Sequence, residues 1–240
     1  MKKEYWYILI TYIVMQLSSG IGVPAFQYGF RSFGFDMRLA VPIWLIASFS
    51  LCLIIVLFLL RKEIKAFRLN DRDRSFGQLF VWSILGFFMA YFSQYISAII
   101  EQMIGIKSGS ENTRQIINII DTFPLAVIVT SIIGPILEEI VFRKIVFGAF
   151  YTRFNFFISA LISSVVFALA HMDFEHILIY AAMGFTFAFL YVKTKRIIVP
   201  IIAHVSMNTL VVLVQSVYRD DIERMMREAE SVQHFIGGFL

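Results

Sequence analysis

The stretch SIIGPILEEIVFRKIVF, residues 131–147, decides what kind of protein this chain forms. Its only charged residues are Glu138, Glu139, Arg143 and Lys144. On a soluble helix four such charges would mark a solvated face. Here they lie between long apolar runs in a 240-residue chain that is 59% hydrophobic and 16% charged, against roughly 25% charged in soluble domains. A charge at the centre of a membrane helix costs roughly 2.5–3.5 kcal/mol on insertion scales, so ionisable residues in such a segment point to function. Glu139 and Arg143 are four apart, so they share a helix face and can pair. Glu138 is turned about 100° from Glu139 and is the carboxylate less readily claimed by that pair.

Working outward, the chain reads as an all-α, polytopic transmembrane bundle of about seven spans, each needing about 20 apolar residues. Span one is an uncleaved helix at the N-terminus, because apolar character resumes with Ile21 to Phe26 after the small residues Ser18, Ser19 and Gly20. Spans two and three are Leu39–Leu60 and Phe76–Ile100, separated by the basic loop 61–74. Residues 101–121 form an external loop with room for a short surface helix. Span four runs from Phe123 through the two glutamates to about Phe150. Spans five, six and seven are Phe156–His171, Ile177–Val192 and Ile197–Val217, and 218–240 reads as an amphipathic surface tail. The whole is one integral membrane domain, 1–240. With the N-terminus inside, 14 Lys/Arg fall on the inner side and 7 on the outer, as the positive-inside rule asks. No basic tract interleaved with aromatics suggests a nucleic-acid surface, so the bilayer is the partner that composition names. The lone Cys52 closes no internal disulfide.

Three further polar residues stand in apolar spans. His171 ends FALAH, with Phe167 four residues before it; His204 and Asn208 lie in HVSMN and point from one helix face. A hairpin of spans four and five turning near residue 153 lifts Glu138 to about 22 Å and His171 to about 27 Å, within one helical turn of each other. The same count from the Lys195–Arg196 turn leaves His204 at only about 12 Å. Gly134-Pro135 can break or kink span four beside the glutamates. A carboxylate near an imidazole can deprotonate water, and imidazole and amide N–H groups can hold an oxyanion.

EEIVFR (138–143), FALAH (167–171) and HVSMN (204–208) resemble, in order and spacing, the EExxxR, FxxxH and HxxxN motifs of the CAAX-protease and bacteriocin-processing family of intramembrane proteases, also called the Abi family. The likeness covers roughly residues 120–215, which would be the catalytic core. It implies an endopeptidase acting on a membrane-embedded or membrane-associated peptide or protein precursor. By family pattern Glu138 and His171 activate water, His204 and Asn208 form the oxyanion site, and Glu139, Arg143 and Phe167 support them. No metal or other cofactor is expected. The style of the chain suggests a bacterial plasma membrane.

Other readings stay open on the residues themselves. Glu138, His171 and His204 plus water make a chemically legal zinc site. His176, Asp173 and Glu175 could form a loop metal site with His171. A membrane histidine or asparagine can simply be an interhelical hydrogen-bonder. A non-catalytic scaffold or sensor, or a proton-relaying transporter, are the alternatives of other classes.

Overall fold

The computed structural model describes residues 1–70, 76–218 and 224, and all the regular structure among them is helical. Helix α1 is Lys3–Phe33, α2 Ala40–Asn70, α3 Phe76–Met103 and α4 Glu111–Thr122. Helix α5, residues 126–151, is continuous but changes winding along its length. Helices α6, α7 and α8 are Phe156–Ala170, Ile177–Thr194 and Ile198–Val217. The amphipathic tail expected at 218–240 lies, apart from residues 218 and 224, outside the described residues.

Among the described residues five helices are long and apolar enough to cross a membrane: Lys3–Phe33, Met37–Ala66, Phe76–Met103, Phe174–Thr194 and Ile198–Val217. The expected count of about seven included two segments that fall short of this test. Helix α6 has 15 residues, about 22 Å of rise against a hydrocarbon core of about 30 Å. Helix α5 carries the charges and the irregular winding. The chain is thus a polytopic helical membrane protein with two atypical helices at its centre.

At Gly134-Pro135, where the sequence allowed a break or a kink, the helix continues unbroken. Pro135 lacks the N–H of a regular turn, and its ring crowds the preceding carbonyls. The chain accommodates this by widening: Val129–Ile133 is π-helical, Gly134–Glu138 returns to α, and Glu139–Phe147 is π again. Helical backbone angles persist through Ile133 and Gly134. Glu138 and Glu139 therefore flank a change of winding, the setting in which π-turns are often functional. Within the second wide turn, Ser163 Oγ of α6 donates to the Phe142 carbonyl at 2.7 Å.

Helix α5 is the axis of the bundle. On one side Leu137, Ile140, Val141 and Ile145 pack with Ile8 and Tyr12 of α1 and Cys52 and Val56 of α2. Helices α6, α7 and α8 lie against its other faces, and α3 packs on α7 and α8 through Ala90, Phe187, Leu190 and Ala203. Outward-facing residues of α1 to α3, such as Ile21, Ile54 and Phe92, are exposed, as lipid-facing side chains are. The external stretch contains the short helix expected there. Ser110 caps α4 by accepting the Thr113 N–H at 3.1 Å.

Candidate active site

Glu139 is fully buried and holds two partners at once. Its Oε2 lies 3.2 Å from Arg143 Nε, the pairing read from the i, i+4 spacing. Its Oε1 accepts the Nδ1–H of His204 at 2.8 Å. The Arg143 guanidinium, also fully buried, rests on the ring faces of Phe167 at 4.1 Å and Phe187 at 5.3 Å. Phe187 in turn stacks on His204, with centroids 4.7 Å apart. Glu139, Arg143, Phe167, Phe187 and His204 thus form one buried block.

Glu138 stands at the edge of this block. Its Oε2 lies 3.7 Å from His204 Nε2 and has no hydrogen-bond partner among the described residues. His204 therefore faces a carboxylate on each side: Glu139 orients Nδ1, and Nε2 points toward Glu138. The depth count had left His204 too shallow to meet the glutamates. The contacts of His204 with both glutamates show that a common level for the interhelical turns was the wrong assumption.

His171 ends α6. Its Nδ1–H donates to the Phe167 carbonyl at 2.8 Å, leaving Nε2 as the free ring nitrogen. The ring meets the Phe167 ring at 4.5 Å and stacks on Tyr180 at 4.2 Å. The Phe167 ring touches both His171 and His204, so the phenylalanine of FALAH spaces the two imidazoles. Asn208 lies one turn beyond His204 on α8. His171, His204 and Asn208 all line a cavity of about 670 Å³ that opens between α3, α4, α7 and α8.

Two participants escaped the sequence reading. Tyr180 stacks on His171 while its hydroxyl meets Ser110 at 3.1 Å and Asn112 at 3.3 Å. Nothing in the spacing distinguishes this tyrosine from the others on an apolar helix. Glu101 is buried at the end of α3. Its Oε2 accepts the His176 Nδ1–H at 2.7 Å, and its Oε1 accepts the Ile179 N–H at 3.3 Å. A carboxylate abutting an apolar run was the available signal, and it was read as the start of the loop. His176 is thus committed to Glu101, and Asp173 accepts from Ser110 at 2.6 Å, so neither converges on His171. Among the described residues no group of three or more His, Cys, Asp or Glu stands at metal-holding spacing.

Residues 120–210 match the family described as type II CAAX prenyl endopeptidase Rce1-like. The chain is 48% identical, over 99% of both lengths, to the "Putative membrane peptidase YdiL" of Bacillus subtilis. It is 38% identical to the membrane-embedded CAAX protease MroQ of Staphylococcus aureus, over 64% of this chain and 65% of that one. No solved structure matches. The chain belongs to the Rce1-like, type II CAAX prenyl endopeptidase family: it is a multi-pass membrane peptidase with bacterial relatives.

Proposed function

We propose that the protein is an intramembrane endopeptidase that hydrolyses a peptide bond of a membrane-associated peptide or protein precursor, with Glu138 as the base. The observation that carries this is the Glu138 carboxylate oxygen, without a hydrogen-bond partner among the described residues and 3.7 Å from His204 Nε2, beside a neighbouring glutamate that accepts from His204 and lies against Arg143 at 3.2 Å. Buried polar atoms without partners are rare, and each asks for a reason. Glu138, aided by His171 Nε2, takes a proton from water as its oxygen attacks the scissile carbonyl carbon. The carbonyl becomes an oxyanion held by Asn208 and the His204 ring, which Glu139 orients through Nδ1. The tetrahedral species collapses when the protonated Glu138 returns its proton to the leaving amine, giving one new carboxyl and one new amino terminus.

Residues 120–215 serve as the catalytic core of a single membrane domain. Helices α5 and α6 complete seven crossings, lying where α1, α2, α7 and α8 shield their polar groups from lipid. Wild-type and Glu138→Gln proteins expressed in the same cells supply the test, by mass-spectrometric profiling of peptide termini. Termini present only with the wild type are expected, and loss of a positioned base is worth typically about 10²–10⁴-fold in rate. Identical profiles from two folded, equally expressed proteins would remove the catalytic reading.

A further inference from the structure

The cavity is confined to one end of the bundle. On α3 its lining runs from Tyr91 to Gln102, the half nearer the C-terminus, and on α7 it includes Ile179, Tyr180 and Met183, the half nearer the N-terminus. On α8 it extends from His204 out to Gln215, and the rim is formed by the 106–110 loop and α4. The mouth therefore lies where α3, α6 and α8 end and α5 and α7 begin.

The opposite end is identified by its own contacts. Glu63, near the end of the apolar part of α2, binds Lys2 at 2.6 Å, Lys144 at 2.9 Å and the Tyr5 hydroxyl at 3.1 Å. This joins the start of α1, the end of α2 and the second half of α5. Arg61, Lys62 and Lys65 of α2 belong to that end, as do Arg153, Lys193 and Lys195. Cations in short loops mark the cytoplasmic side. The mouth end carries Arg31, Arg38, Lys107 and Arg114, of which Arg38 pairs with Asp36 and Arg114 with Glu111. Arg143, counted by sequence as an inner loop charge, is buried against Glu139 and has no bearing on orientation. Its removal leaves the bias intact.

Resting on the reading of Glu138 as the base, we propose that this peptidase admits its substrate from the extracytoplasmic side. The substrate is a peptide segment displayed at the outer face of the membrane. The mouth suits such a ligand: Gln102, Asn112 and Gln215 offer uncharged donors and acceptors for an extended backbone, while Lys107 adds a cation at the rim. A C-terminal tail lipidated and retained in the cytoplasm lies on the wrong side of the bundle.

Cysteine accessibility tests this without reference to catalysis. Cys52 is the only cysteine and is buried, so Cys52→Ser gives a silent background. In it, Lys107→Cys places a thiol at the mouth and Lys62→Cys places one at the basic end. Sealed protoplasts are treated with a membrane-impermeant sulfonated maleimide dye. The Lys107→Cys protein is expected to react in sealed protoplasts, and the Lys62→Cys protein only after lysis. Modification at Lys107→Cys should also reduce the Glu138-dependent termini to the level of the Glu138→Gln protein. Reaction of the Lys62→Cys protein in sealed protoplasts to an equal or greater extent overturns the proposal, as does full modification at the mouth with undiminished termini. An outward-facing mouth combined with termini that ignore Glu138→Gln sinks the catalytic reading and leaves the sidedness standing. Comparing medium with membrane fractions then separates exported peptides from outer segments of membrane proteins.

Discussion

Glu138 and Glu139 are one position apart and differ in everything around them. Glu139 accepts from His204 through one oxygen and forms an ion pair with Arg143 through the other, and removing it strands the buried Arg143 and unties His204. Glu139→Ala should therefore lower stability by about 3–5 kcal/mol, the usual cost of leaving one member of a buried pair uncompensated. Thermal unfolding in detergent would show it. The same assay on Glu138→Gln should give a midpoint close to wild type, since that carboxylate oxygen holds no protein partner. Equal loss in both would mean that Glu138 is structural. Tyr180→Phe keeps the ring on His171 and removes the hydroxyl that meets Ser110 and Asn112. A loss of about 1 kcal/mol is expected, the net worth of a typical hydrogen bond. The pairing of Glu139 with Arg143 was legible from the i, i+4 spacing. Its second bond, to His204, crosses 65 positions of chain, and no local pattern encodes it.

At the scale of the element, α5 and α6 are the pieces that the apolar pattern described least well. The run 123–150 reads as one span that Gly134-Pro135 can break or kink, yet it stays continuous and widens around Pro135, with Glu139 held by His204 of α8 and Glu138 at the edge. Helix α6 is short, and its inward face is small and polar: Ser159, Ala160, Ser163 and Ser164 are all buried. Small residues let membrane helices approach closely. Ser163→Ala leaves the Phe142 carbonyl without its 2.7 Å donor and should cost roughly 1–2 kcal/mol, read as a lower thermal midpoint. On the facing helix, a Cβ at Gly184 would meet Ser164 backbone and side chain at 3.0 Å. Gly184→Val should force α6 and α7 apart and destabilise by about 1–3 kcal/mol. An unchanged midpoint would mean that the two helices do not pack this closely in the membrane.

At the scale of the whole molecule, the bundle brings His171 of α6 and His204 and Asn208 of α8 to one cavity, sets Glu138 behind that lining at His204, and commits other candidate ligands elsewhere. His176 is bound by Glu101, and His204 is held between two glutamates. Chelators should therefore leave Glu138-dependent cleavage unchanged, and the purified protein should hold less than one zinc per chain by elemental analysis. Loss of cleavage on chelation, restored by zinc, would reverse this assignment. Helix existence was legible almost throughout, because a bilayer admits few alternatives to a run of about 20 apolar residues folding as a helix. The number of helices able to cross unaided was not, since α6 owes its place to neighbours and α5 to internal charge pairing.

By itself the sequence determined the polytopic helical class, the gathering of Lys and Arg at one end of the spans, and the three motifs whose order and spacing mark the peptidase family. Those are properties of composition and of local period, and each is written in consecutive residues. Only the tertiary structure decided that His204 reaches the glutamates, that Glu139 joins Arg143 to His204, that Tyr180 backs His171, and that the cavity opens at one end. These depend on how deep each interhelical turn sits and on how a proline rewinds its helix. Such quantities are set by packing between distant segments, and no stretch of the chain read alone contains them.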